Sequence, residues 1–168
     1  MLRHGRSYLI LGHTYSVELC KELAEKGLNR FNPDERAVDA NNQSSARYSL
    51  MNYFQIDIVT MPEMSYWDWE FYRDGELVGI GEYRRRFHNF GTFPDFQFGK
   101  KKFLAMTEEA SKHGVPAWMF VEFDDLFLYF VMEGNPPVKT MRRNHETRTE
   151  ECVCFTMDKF RKLGSLNV

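Results

Sequence analysis

The residue pattern predicts a mixed α/β fold, and three observations carry that prediction. Strand-like runs fill the middle of the chain, at 54–59, 67–73 and 76–83. A run of helical period follows at 100–113, and two further apolar strand runs lie at 117–123 and 126–132. Strands, a crossover helix and more strands build a mixed sheet with helices laid against it. The length of 168 residues fits a single domain over 1–168, at roughly 150 residues per domain.

The elements can be justified in chain order. Residues 15–26 read as a helix, with Leu19, Cys20, Leu23 and Ala24 at helical spacing and Gly27 as its stop. Residues 29–46 hold Pro33, Asn41, Asn42, Ser44 and Ser45 and read as a loop. Phe54, Ile56 and Ile58 then alternate with Gln55, Asp57 and Val59, a strand pattern. The runs 67–73 and 76–83 are joined by Asp74-Gly75, a strong hairpin signal because both turn residues must reach positive φ. An aromatic loop is expected at 87–98, with Gly91, Pro94 and Asp95. In the helix 100–113, Phe103, Met106, Thr107 and Ala110 share one side and Gly114 ends it. Asp124-Asp125 turns between the next two strands, and Gly134-Asn135-Pro136-Pro137 breaks the chain. Residues 133–151 read as a second loop, 152–156 as a short strand, and Asp158 caps a last helical turn through Leu163.

Composition excludes several classes. Hydrophobic residues at 43% and charged residues at 27% are ordinary for a globular chain and exclude a largely disordered one. With Lys plus Arg at 22, Asp plus Glu at 24 and a net charge of -2, an unselective coat for nucleic acid is disfavoured. Cys20, Cys152 and Cys154 cannot make a disulfide framework and read as reduced thiols. No apolar run approaches the roughly 20 residues of a membrane span. The stretch Tyr8-Leu9-Ile10-Leu11 is too short for a signal peptide, so a cytoplasmic protein is expected.

The chemistry-bearing segment is the hairpin. Asp68 opens its first strand and Glu82 closes its second, so the Asp74-Gly75 turn brings the two carboxylates to one end. Neighbouring carboxylates repel and call for a cation between them. Oxygen donors with room for water suit Mg²⁺ better than zinc. Arg84 and Arg86 share a strand face with Glu82 because side chains alternate with period two. Carboxylates followed by cations are what metal-assisted attack on a phosphodiester requires. A plain two-residue turn, however, pairs Arg73 with Glu76 and Asp68 with Gly81, which turns Asp68 and Glu82 to different faces. A bulge or bend near Asp68 would bring them together.

These residues resemble the PD-(D/E)xK nuclease superfamily, whose members carry an Asp at the start of one strand, a hairpin, and Glu-x-Lys on the next. Asp68 and Glu82 match, and small phage-encoded members are the nearest in pattern. The resemblance covers 16–160 in element order, with its specific motif confined to 68–86 and 100–123. It implies a restriction-endonuclease-like core, a mixed central sheet flanked by helices, in one nuclease-like domain. It implies Mg²⁺ (or Mn²⁺) held by Asp68 and Glu82, with Glu18 as a third ligand. The third motif position departs from the family, since Arg84 stands where lysine is expected. Arginine keeps its proton and cannot act as a base, though it can stabilise charge on a phosphate. The family tolerates a lysine from the following helix, and Lys102 before Phe103 fits that place. Arg84 and Lys102 are therefore the expected catalytic cations beside Asp68 and Glu82.

The implied partner is nucleic acid, with DNA placed ahead of RNA although the residues do not separate them. A homodimer is compatible with the family, many of whose members act as dimers. Arg85, Arg86, Lys100 and Lys101 are the expected nucleic-acid-binding residues. They are interleaved with Phe87, His88, Phe90, Phe93, Phe96 and Phe98, as at surfaces that contact single-stranded or distorted nucleic acid. The same rings equally suit a loop packed onto the core. Lys139, Arg142, Arg143 and Arg148 form a second basic cluster that fits binding or a solvated loop. Glu70 is a second-choice ligand and Asp57 an edge-strand charge. Glu18, with Glu22 and Glu25, also fits a solvated helix face. Two functions stay open: a metal-dependent nuclease from a phage or another mobile element, and a catalytically inactive nuclease-fold protein that binds nucleic acid or a host protein, such as a defence inhibitor.

Overall fold

The structure is a computed structural model and describes residues 35–142 and 149–168. The expected helix at 15–26 lies outside the described residues. Helix α1 (Glu35–Phe54) is followed by β1 (Asp57–Thr60), β2 (Trp69–Arg73), β3 (Glu76–Arg85) and β4 (Asp95–Gly99). Helix α2 (Lys100–His113) leads to β5 (Ala117–Glu122), β6 (Phe127–Val131), β7 (Val138–Arg142), β8 (Thr149–Thr156) and β9 (Arg161–Lys162). A six-stranded sheet has the order β1-β2-β3-β5-β6-β9, and a three-stranded sheet the order β4-β8-β7. Strands β3 and β5 pair in parallel, joined by the crossover through β4 and α2, while their neighbours pair antiparallel.

The central strand shows why the sheet needs a layer on each face. Every residue of β5 is buried. Ala117, Met119 and Val121 join the core that includes Phe103, Met106 and Ala110 of α2 and Phe96, Phe98, Val153 and Phe155 of the small sheet. Trp118 and Phe120 join the opposite core, which holds Ala46 and Leu50 of α1 and Trp69, Phe71 and Tyr83 of the hairpin. Period-two alternation thus splits one strand between two cores.

Five local expectations are corrected. Residues 35–46 of the expected 29–46 loop are helical, and α1 runs on to Phe54. The stripe this helix buries is Asn42, Ser45, Ala46, Ser49 and Leu50, at helical spacing but largely polar or small. Ser49 Oγ donates to the Ser45 carbonyl at 3.0 Å, which makes a serine tolerable there. The helix stops at Gln55, with φ 53, and the first strand of the sheet begins only at Asp57. Within the expected 133–151 loop, β7 forms against β8, with Val138 paired to Val153 and Lys139 to Cys152. Lys139 Nζ donates to Asp95 Oδ2 at 2.8 Å, so the charge that suggests a loop ties β7 to β4. The end of the 87–98 aromatic loop is strand β4. The last helical turn is two short 3-10 turns, Met157–Lys159 and Leu163–Ser165, on either side of β9.

Candidate active site

The hairpin turn is made as its residues predict, with φ 52 at Asp74 and 81 at Gly75. Arg73 pairs with Glu76 and Tyr72 with Leu77. The register then shifts, so that Phe71 faces Gly79, Glu70 faces Ile80 and Trp69 faces Gly81. Val78 is the extra residue of a β-bulge, the pairing runs on to Trp69 opposite Gly81, and Asp68 stands just before β2. A bulge is thus present in mid-hairpin, where the sequence left open a bulge or bend near Asp68. Close packing on the other face coincides with it. A Cβ on Gly79 would lie 2.1 Å from the Trp118 ring, and one on Gly81 would lie 2.8 Å from Phe71. Glycines at those two positions let the rings of the α1-side core close onto β3.

Asp68 is held by backbone. Its N–H donates to the Gly81 carbonyl at 3.1 Å, and Tyr83 N–H donates to its Oδ2 at 2.9 Å. Glu82 has no exposed surface. Its Oε1 accepts from Lys102 Nζ at 2.8 Å and meets Arg84 Nη2 at 2.5 Å. Its Oε2 is buried and makes no hydrogen bond. Burial pushes the Glu82 carboxyl above the ordinary range, and the Asp68 charge adds to the rise. Arg84 and Lys102 oppose it. The two cations keep about a third of their side-chain surface open, 32% for Arg84 and 33% for Lys102. They connect the buried carboxylate with solvent.

Crossover geometry delivers Lys102. Strand β4 returns along β3, with the Arg86 guanidinium 4.9 Å from the Phe96 ring centre and the Arg84 guanidinium 5.6 Å from that of Phe98. Helix α2 starts directly after β4 and sets its first turn beside Glu82. Of the expected binding residues, Lys100 pairs with Glu151 at 3.2 Å and Lys101 is exposed. Arg85 is not brought to this face. Its side chain is 7% exposed and binds Asp124 at 2.7 Å and the Glu122 carbonyl at 3.0 Å, because strand alternation turns it away from Glu82. Glu70 accepts from the Tyr72 hydroxyl at 2.6 Å, and that bond raises the tyrosine pKa. Asp57 is exposed on the edge strand β1. Glu18, Arg143 and Arg148 lie outside the described residues.

The rings divide. Phe96 and Phe98 are core residues and Phe90 is half-buried, whereas Phe87 and Phe93 are 50% and 56% exposed. Sequence reasoning passed over Tyr83 and Glu122. Tyr83 holds Asp68 through its N–H and, on the far face of the sheet, donates its hydroxyl to buried Glu122 at 2.7 Å. A glutamate closing the otherwise apolar run Ala117-Trp118-Met119-Phe120-Val121 is the signal that could have marked that contact.

A family model described as "phage putative PDDEXK endonuclease" matches residues 31–162. The chain belongs to this phage PDDEXK family. No curated protein matches it. The mixed sheet with helices on its faces is accordingly the restriction-endonuclease-like fold. PDDEXK nucleases act on nucleic acid and generally depend on a divalent metal, and the donors present fit a hard cation. Asp68 presents a carboxylate oriented by the Tyr83 N–H, and Glu82 Oε2 is a buried oxygen that makes no hydrogen bond. Among the described residues no group of three or more His, Cys, Asp or Glu converges, so these two carboxylates carry the fit. No helix among the described residues is long and apolar enough to cross a membrane.

Proposed function

We propose that the protein hydrolyses phosphodiester bonds of nucleic acid, DNA foremost, using Mg²⁺ (or Mn²⁺) held by Asp68 and Glu82. The observation that carries this reading is the convergence at Glu82. Lys102 and Arg84 meet on Oε1, Oε2 makes no hydrogen bond, and the Asp68 charge lies near enough to raise the carboxyl. When bound, the cation polarises the phosphate and lowers the pKa of a water.

The chain's own groups do the rest. The Tyr83 N–H fixes the Asp68 carboxylate, and burial fixes that of Glu82. Arg84 keeps its proton and serves as a permanent charge against the scissile phosphate. Lys102 supplies from α2 the amine that the motif lacks at position 84, a second charge against the scissile phosphate.

Plasmid, single-stranded DNA and RNA, each incubated with Mg²⁺ and with Mn²⁺, test the reading. Cleavage is expected in the parent and not in Asp68→Asn or Glu82→Gln, because a neutral amide cannot replace a charged ligand. No cleavage above the Asp68→Asn control, from protein that melts cooperatively, would overturn it. The second reading, a nuclease-fold binder without catalysis, is favoured by Arg84 and by the acidic net charge. Calorimetric metal titration separates the two, with binding that is lost in Asp68→Ala pointing to the enzyme.

A further inference from the structure

A row of groups runs along the α2-side face of β3, starting at the carboxylates. Glu82 and Arg84 occupy alternate positions of β3 and share one face, and Arg86, just past the end of the strand, lies over Phe96 of the core on that side. Lys102, Phe98 and Phe96 lie against them in that order. Each guanidinium rests on an aromatic ring, which holds a long side chain in place at little further entropic cost. Beyond Arg86 the row ends on His88 and Phe93, whose rings meet edge to face at 4.9 Å. Phe93 is 56% exposed.

This aromatic end is anchored. His88 lies against Phe123 at 5.7 Å, and its carbonyl accepts from the Asp124 N–H at 2.9 Å. The Phe90 ring packs on Phe123 and Phe160, and its N–H donates to Asp125 Oδ1 at 2.7 Å. The loop is tied to the β5–β6 turn while the Phe93 ring keeps more than half of its surface in water.

We infer that this row is the track of a single, unpaired nucleic-acid strand, with phosphates on Arg84 and Arg86 and a base stacked on Phe93. The inference rests on the nuclease reading and names the form of its substrate. A duplex presents phosphates to such a row but keeps its base faces stacked inside. An unpaired strand offers phosphates and base faces together, which is the mixture present here.

Fluorescence anisotropy in Ca²⁺ with labelled oligonucleotides tests the track directly. The probes are a single-stranded DNA, the same sequence as a blunt duplex, and an abasic single strand. The single strand is expected to bind at least about tenfold tighter than the duplex. Phe93→Ala should weaken the single strand by about tenfold, which corresponds to roughly 1.4 kcal/mol of stacking, and leave the abasic strand unchanged. Phe93→Tyr should restore binding, and Arg86→Ala should weaken both single strands. Melting curves confirm that each variant is folded.

Duplex binding as tight as single-strand binding overturns the track, and metal-dependent duplex cleavage in the same preparation leaves the nuclease reading intact. Phe93→Ala binding like the parent also overturns it, and a changed solution mass in that variant would assign the ring to a second copy. Single-strand preference that depends on Phe93, without cleavage by any metal, supports the track and removes the nuclease reading. No binding to any probe overturns both.

Discussion

A carboxylate with no exposed surface must be protonated or neutralised by its neighbours, and Glu82 sits between these solutions. Two cations share its Oε1 and none reaches Oε2. The cations differ in chemistry, and mutation can separate them. Arg84→Lys keeps a charge in place and should hold activity within about tenfold, roughly 1.4 kcal/mol of barrier. Lys102→Ala removes the amine that α2 sets on Glu82 and should cost on the order of 10²-fold or more in cleavage rate. If Lys102→Ala cleaves like the parent, the amine plays no part in the chemistry. The raised carboxyl of Glu82 also predicts a pH dependence. Its folded pKa lies above its unfolded one, so the metal-free protein loses stability as pH rises from the ordinary carboxylate range through the raised value. A divalent cation requires the ionised form and should offset that loss. The rise in melting temperature on adding Mg²⁺ should therefore be larger at neutral than at mildly acidic pH. A Mg²⁺ shift independent of pH would count against Glu82 as a ligand.

Among the elements, the bulged hairpin decides whether a site exists. Its turn residues set the plain register, and Val78 shifts it by one residue before the strand ends meet. The shift coincides with Trp118 lying on Gly79 and Phe71 on Gly81. Gly79→Ala forces a Cβ into the indole, and overpacking of this kind costs about 1–3 kcal/mol. Urea denaturation should show that loss. Because the Trp118 ring lies beside the bulge, the variant should also bind metal more weakly than its remaining folded fraction explains. A variant as stable as the parent would show that the indole moves aside freely. Helix α2 contributes differently. It places the lysines at its N-terminal end, where the helix dipole disfavours positive charge, and no acidic residue in its first turn compensates. Lys102 is matched there by Glu82 and Lys100 by Glu151.

For the whole molecule, a net charge of -2 has to coexist with the face proposed to bind phosphates. Arg84, Arg86 and the α2 lysines gather at one end of the central sheet, so a local field can oppose the global sign. Salt dependence of binding reads that local field. Lys101 is the clean probe, because Lys100 and Lys102 are engaged with Glu151 and Glu82. Lys101→Glu should lower the slope of log affinity against log salt by roughly 0.7–0.9 for each phosphate it no longer neutralises. An unchanged slope would take the start of α2 out of the binding surface.

The parts of this protein legible in its sequence are those set by neighbouring residues. The bounds of α2, the Asp74-Gly75 turn and most of the strand runs follow from local period, turn chemistry and residue type. Helix α1 escaped because its buried stripe is Asn42, Ser45, Ala46, Ser49 and Leu50, which reads as polar until a sheet is placed against it. Strand β7 escaped because Lys139 finds its partner, Asp95, on another strand. Tertiary structure alone decided the register, since the bulge lies beside an indole from β5 and nothing in the hairpin requires it. It also decided that Lys102 reaches Glu82 while Arg85 turns away. The first depends on the handed crossover between parallel strands and the second on period-two alternation, and both are geometric relations between residues far apart in the chain.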